Sequence, residues 1–175
     1  MEVCGSFCNM MLEKIKSDLA AGQKEKNENK VSTLRMLISA INNKSINKRA
    51  LAAGKEPDLS EEELVKKSEL NDQEIIDAIF SEAKKRKEAA FEYERGNRPE
   101  LARKEKAELE ILSAYLPAQM GEEEIRKLVA DAIVKTGAKD AKDMGKLMGA
   151  LMPATKGKAD GNLVSKIVRE LLIAK

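Results

Sequence analysis

A chain that carries out covalent chemistry by itself needs a nucleophile beside a base, a set of metal ligands or a cradle for phosphate. This sequence lacks most of those parts. It contains no histidine, which removes Ser-His-Asp and Cys-His arrangements and a principal zinc ligand. Nothing matches the GxxxxGK[ST] loop or a GxGxxG turn after a strand. Cys4 and Cys8 lie in a short prefix with no second pair to complete a metal site, and they read as reduced and incidental. Acid pairs such as Glu61 and Glu62 can in principle do general acid-base work, but acids gathered at a helix start more commonly serve its dipole. No catalytic, cofactor or metal site is expected.

Binding chemistry is concentrated in DMGKLMGALMPATKGKADG, from Asp143 to Gly161. Between Asp143 and Asp160 this segment holds Lys146, Lys156 and Lys158 and no acid, in a chain whose charges otherwise alternate in sign. On a helical wheel Lys146 falls about 150° from the stripe Met144, Leu147, Met148 and Leu151, so its ammonium is expected in water. Gly145 and Gly149 share a bare strip beside it. A glycine inside a helix costs about 1 kcal/mol relative to alanine, so the pair predicts a close approach, by a neighbouring helix or by a ligand. Lys156 and Lys158 flank Gly157 in a loop from Pro153 to Asp160, where exposed amides and ammonium groups can meet phosphates. Lys166 and Arg169 lie opposite the apolar stripe of the last helix. These five cations, with Gly145, Gly149 and Gly157 as points of close approach, make up the candidate nucleic-acid surface; a solubilising face accounts for the cations equally well.

The elements that must position these residues read as helices throughout. Residues 1–10 are expected to be a disordered leader. Leu12, Ile15 and Leu19 mark a first helix ending at Gly22, and Val31, Leu34, Ile38 and Ile41 a second. The pattern then fades in SINKRALAAGKEPDLSEEEL, which reads as a loop punctuated by Gly54, Pro57 and Ser60, with Ser60 and Glu63 forming a capping box. A long helix carries Ile75, Ile76, Ile79, Phe80 and Ala83 and stops at Gly96 and Asn97. Pro99 opens the next, whose buried edge is expected at Leu101, Leu109, Leu112 and Leu116. The run Lys84, Lys85, Arg86, Lys87 is flanked by Glu82, Glu88 and Glu92 and reads as a solvated mixed-charge face. Pro117 to Gly121 is the expected boundary between an N-terminal helical domain, 11–118, and a C-terminal three-helix bundle, 119–175. The bundle's helices carry Ile125, Leu128, Val129, Ala132 and Ile133; then the methionine-leucine stripe, ending at Pro153; then Leu163, Val164, Ile167, Val168, Leu171 and Leu172.

Composition agrees with an all-α fold: 35% of residues are charged and only 3% aromatic, with no tryptophan, so strand-forming runs are scarce. The 32 basic and 30 acidic residues nearly cancel, but from Ile111 onward there are 11 basic against 8 acidic, so the surplus sits at the C-terminal end. No stretch approaches the ~18 to 20 apolar residues needed to cross a bilayer, and no membrane partner is expected. The expected compartment is the cytoplasm. With Phe80 and Phe91 read as buried, and Tyr93 and Tyr115 open to either reading, few rings remain for base stacking. Recognition of shape and phosphate is therefore expected over reading of single-stranded bases.

Four segments carry a family resemblance: LRMLISAI from Leu34, KAELEILSAYLPAQM from Lys106, EEEIRKLV from Glu123, and DMGKLMGALMPATKGKADGNLVSKIV from Asp143. Through them the chain resembles the YqeY family, whose C-terminal part is similar to the tail domain of the non-amidase subunit of the aspartyl/glutamyl-tRNA amidotransferase. The resemblance implies an α-helical N-terminal domain joined to a three-helix tail that grips tRNA, with an amidotransferase or aminoacyl-tRNA synthetase as partner. It also implies an association with carbon-nitrogen ligase activity using glutamine as amido-N-donor, although the likeness is to the tail and not to the catalytic parts. Three functions follow as expectations: a tRNA-binding accessory protein assisting tRNA-dependent amidation or aminoacylation, a component of such a ligase, and a protein-binding helical adaptor.

Overall fold

Short polar signals set where the helices begin and end. The side chain of Asn27 accepts a hydrogen bond from the Lys30 amide at 3.0 Å and starts the second helix. Ser60 and Glu63 form a reciprocal capping box, and Asn71 with Glu74 forms another that periodicity alone does not reveal. Gly96 closes the long fourth helix, with Asn97 at φ 54°, and Pro99 occupies the first turn of the fifth. The computed structural model describes residues 10–138 and 140–173. The expected leader lies outside these apart from Met10, as do Cys4 and Cys8. Among the described residues there are eight α-helices, one 3₁₀ turn and no strand, and the fold is all-α.

The chain divides into two units, Met1–Tyr115 and Leu116–Lys175. The first contains α1 (Met10–Lys24), α2 (Glu28–Lys55), α3 (Glu61–Ser68), α4 (Asp72–Arg95) and α5 (Pro99–Ser113). Its core gathers Ile15, Leu34, Leu37, Ile41, Leu70, Ile75, Ile79 and Leu112. The segment from Ser45 that reads as a loop is helical as far as Lys55. Helix α2 packs against α1, α3, α4 and α5, but past Ile41 the partly buried positions of its inward face are Lys44, Ser45, Lys48, Arg49, Ala52 and Ala53 while Ile46 and Leu51 are exposed, so no apolar periodicity marks the continuation. Its C-terminal half is fastened by polar groups. Lys44 Nζ donates to the Glu74 carbonyl at 2.7 Å, Ser45 Oγ to the Ser68 carbonyl at 2.8 Å, and Lys48 Nζ to the Glu69 carbonyl and to Glu74 Oε2, both at 2.8 Å. Burial works against the charge on Glu74, but the hydrogen bonds from Lys48 and Asn71 and the charges of Lys48 and Lys44 outweigh it and hold its pKa below the ordinary value.

Three of the four cations in the basic run on α4 are paired internally. Lys85 meets Glu82 at 2.6 Å, Lys84 lies 4.0 Å from Glu88, and Arg86 bridges to α5 through Glu105 at 3.1 Å and Glu108 at 3.2 Å. Glu108 is only 3% exposed. Two expected core residues are instead exposed: Leu101 at 41% and Phe91 at 58%. The small residues Ala90 and Ala102 fill the buried positions of the α4–α5 hairpin, and Phe91 lies under the Arg95 guanidinium, 5.8 Å from the ring centre. Tyr115 ends the unit as a buried anchor. Its hydroxyl donates to Asp18 Oδ2 at 2.7 Å, Lys14 lies 5.7 Å from the ring centre, and burial followed by the Asp18 carboxylate pushes its pKa up.

The second unit is a bundle of α6 (Glu122–Thr136), α7 (Met144–Thr155) and α8 (Gly161–Ile173), with a 3₁₀ turn at Ala141–Asp143. Its core is Ile125, Val129, Ile133, Leu147, Leu151, Val164, Ile167, Val168 and Leu172, with Leu128, Met144, Met148, Leu163 and Leu171 partly buried around it. Gly137, at φ 67°, ends α6 in the left-handed conformation that glycine adopts without strain. Helix α7 ends at Thr155 and not at Pro153. The proline sits on the exposed side of the last turn, where its fixed φ suits a helix and its missing N–H falls near the end of the hydrogen-bond ladder. Among the described residues no helix is long and apolar enough to cross a membrane.

Candidate nucleic-acid interface

The core side of α7 is fixed by Leu147, Leu151 and Thr155, so the opposite side must face outward. That outward side carries Gly145, Lys146, Gly149, Ala150, Met152 and Pro153, all exposed, with Met152 at 54%. It bears one charge and no acid. A Cβ added at Gly145 or at Gly149 meets no atom within 4 Å. No neighbouring helix of this bundle therefore accounts for the two glycines, and the strip is open to an external molecule.

Lys146 is exposed, but its ammonium does not simply point to water. It donates to the Thr136 carbonyl at 3.0 Å and so caps the C-terminal end of α6, where a cation suits the helix dipole. An ammonium has three donors, which leaves capacity for a phosphate beside that cap. Lys156 and Lys158 are both exposed on the turn that follows α7. Three of the amides expected to be open there are used internally. Lys156 N donates to the Met152 carbonyl at 3.0 Å, and Lys158 N and Ala159 N both donate to the Thr155 carbonyl, at 3.0 and 2.9 Å.

Gly157 is buried, at φ 74°. Its value lies in the left-handed backbone that lets the turn reverse, and not in exposed close approach. The turn is held from an unexpected direction. Met120 N donates to the Lys158 carbonyl at 2.8 Å, and Gln119 Nε2 donates to the Gly157 carbonyl at 3.1 Å. These residues from the link ahead of α6 escape sequence reading, because partners 38 residues apart leave no periodic signal.

The last two expected cations fall on different rows of α8. Arg169 stands four residues after Ser165, whose hydroxyl is 3.9 Å from Met148 Sδ on α7, so Arg169 shares the row that borders α7. Lys166 shares its row with Glu170, 4.0 Å away, and Glu170 pairs with Arg126 of α6 at 2.7 Å. Glu122 and Glu170 together hold the Arg126 guanidinium above its usual range. Arg169 thus lies on the side of α8 that borders α7, and Lys166 beside an acid on the α6 side. Among the described residues no group of three or more Cys, Asp or Glu side chains is placed to hold a metal ion.

Residues 55–172 match the family described as Yqey-like protein. A relative from Pyrenophora tritici-repentis (strain Pt-1C-BFP), named Altered inheritance of mitochondria protein 41, mitochondrial, is 27% identical over 173 residues, which span 95% of this chain and 83% of the relative.

Proposed function

This chain belongs to the Yqey-like protein family, and from that premise we propose that it is a tRNA-binding accessory protein whose C-terminal bundle holds tRNA for an amidotransferase or an aminoacyl-tRNA synthetase. The observation that carries this reading is the open outward side of α7: two glycines with nothing against them, no acid, and Lys146, Lys156 and Lys158 at its ends. Exposed cations serve the phosphates. Bare backbone lets the helix approach ribose closely. Among the described residues Phe91 is the most exposed ring, but it lies on the first unit beneath Arg95, and Tyr115 is buried. This favours contacts to backbone and shape over base stacking.

The contribution to amidation or aminoacylation is one of holding substrate; the carbon-nitrogen bond is made by the partner. The competing reading, a protein-binding adaptor, draws support from the apolar Ala150, Met152 and Pro153 on the same surface. Binding of the purified chain to bulk tRNA, by filter retention and gel shift at two salt concentrations, tests the proposal. Salt-sensitive retention supports it, whereas no retention at low salt rejects it and leaves the adaptor. The word mitochondrial belongs to the relative's name; for this chain we place the function in the cytoplasm, and cell fractionation decides the compartment without bearing on the contact.

A further inference from the structure

The turn that carries Lys156 and Lys158 is fastened at two successive carbonyls, Gly157 and Lys158, by the side chain of Gln119 and the amide of Met120. Gln119 is itself exposed, so its carboxamide adds nothing to the hydrophobic core. It does reach across 38 residues to donate at 3.1 Å to the one glycine of the turn that stands in the left-handed region, and it also donates to the Pro117 carbonyl at 2.8 Å. Two carbonyls held by one NH2 group fix the link and the turn against each other. The two lysines flank the held glycine directly. The direction in which their backbone sets them out is therefore a quantity to which the Gln119 bond contributes, beside the amide bonds of Met120, Lys158 and Ala159.

We infer that Gln119 is a positioning residue for the phosphate contacts, holding the 156–158 turn in the single conformation that presents Lys156 and Lys158 together to a polyanion. This rests on the tRNA reading above and adds a residue to it outside the basic segment. Without the bond the turn samples other conformations, and the two lysines no longer meet two phosphates at once. The ordering is then charged to the binding step.

The test uses Gln119→Met in the full chain, which keeps the length of the side chain and removes the donor without adding charge. Binding to bulk tRNA is measured across a salt series for wild type, Gln119→Met, Lys156→Gln/Lys158→Gln and the triple combination. Two lost phosphate contacts make the slope of log affinity against log salt shallower by about 1.4 to 1.8. Gln119→Met is expected to reproduce most of that change, and adding it to the double lysine variant should change little further. Faster amide exchange around Gly157 should accompany it, with the far-ultraviolet circular dichroism unchanged. Gly157→Ala, which strains the left-handed position, reaches the same turn from the other partner and should give the same slope. If wild type binds tRNA and Gln119→Met keeps the full wild-type slope, the role assigned to Gln119 is overturned while the tRNA function stands. Wild type that binds no tRNA overturns the function and this role with it.

Discussion

Gly149 gives opposite readings for the isolated protein and for its complex. In α7 it is an interior helical residue, its backbone is outside the left-handed region, and an added Cβ meets nothing within 4 Å. Replacement by alanine therefore removes only the flexibility of glycine in the unfolded chain and gains about 0.8 to 1 kcal/mol of helix propensity. In a unit of roughly this size a change of about 1 kcal/mol moves the melting temperature by roughly 4 to 8 °C. Gly149→Ala in the isolated second unit should accordingly melt several degrees higher. Gly149→Leu should also be at least as stable as wild type, because its side chain enters open solvent. Against tRNA the expectation reverses: if the bare strip lies on ribose, a leucine there forces bulk into a close contact. Such overpacking costs about 1 to 3 kcal/mol, so affinity for Gly149→Leu should fall by about fivefold to roughly a hundredfold. Thermal melts followed by circular dichroism and filter binding on the same samples give both numbers. A lower melting temperature for Gly149→Ala would show that something in the protein already packs on this glycine. Unchanged affinity for a stable Gly149→Leu would show that RNA does not approach it.

Two further outcomes follow from particular contacts. A fragment of residues 116–175 should fold and melt above one of 121–175, which loses the Met120 and Gln119 hydrogen bonds to the α7–α8 turn; at about 0.5 to 1.5 kcal/mol per bond the difference is about 1 to 3 kcal/mol, and equal melting curves would contradict it. Because folding lowers the pKa of Glu74 from its ordinary 4.5, its stabilisation is complete above that value and is lost as pH falls through the folded pKa. Glu74→Gln should therefore be less stable than wild type at neutral pH, with the gap closing below about pH 4.5; a gap that persists in acid would refute the linkage.

Much of the second unit was legible in the sequence because its helices are short, amphipathic and each turned to one shared core. Val164, Ile167, Val168 and Leu172 repeat with a clean helical period, and Gly137 and Asp160 mark the breaks. The first unit hid more. Past Ile41 the inward face of α2 carries Lys44, Ser45, Lys48, Arg49 and alanines, so its apolar pattern dissolves just where the helix continues, and at the α4–α5 hairpin the buried positions belong to alanines, which carry little hydrophobic signal beside Leu101 and Phe91. Within the site, residue type and spacing gave the cations and the open glycines. They could not give the hydrogen bond from Lys146 to Thr136, the internal use of the turn's amides, or Gln119, since each depends on residues brought together only by the packed bundle.

The central claim is that Lys146, Lys156 and Lys158 contact tRNA phosphates, and the salt dependence of binding by a variant with all three changed to glutamine tests it most directly. The Lys146 change removes the α6 cap and should cost about 0.3 to 1 kcal/mol of stability, so the comparison is made well below the melting temperature, with folding checked by circular dichroism. If each lysine neutralises one phosphate, the slope becomes shallower by roughly 0.7 to 0.9 per lysine, about 2 to 3 in all. Affinity should fall for every tRNA tested, since phosphate contacts position the molecule without reading its sequence. A folded triple variant with the wild-type slope would contradict the account and leave the outward side of α7 to a protein partner.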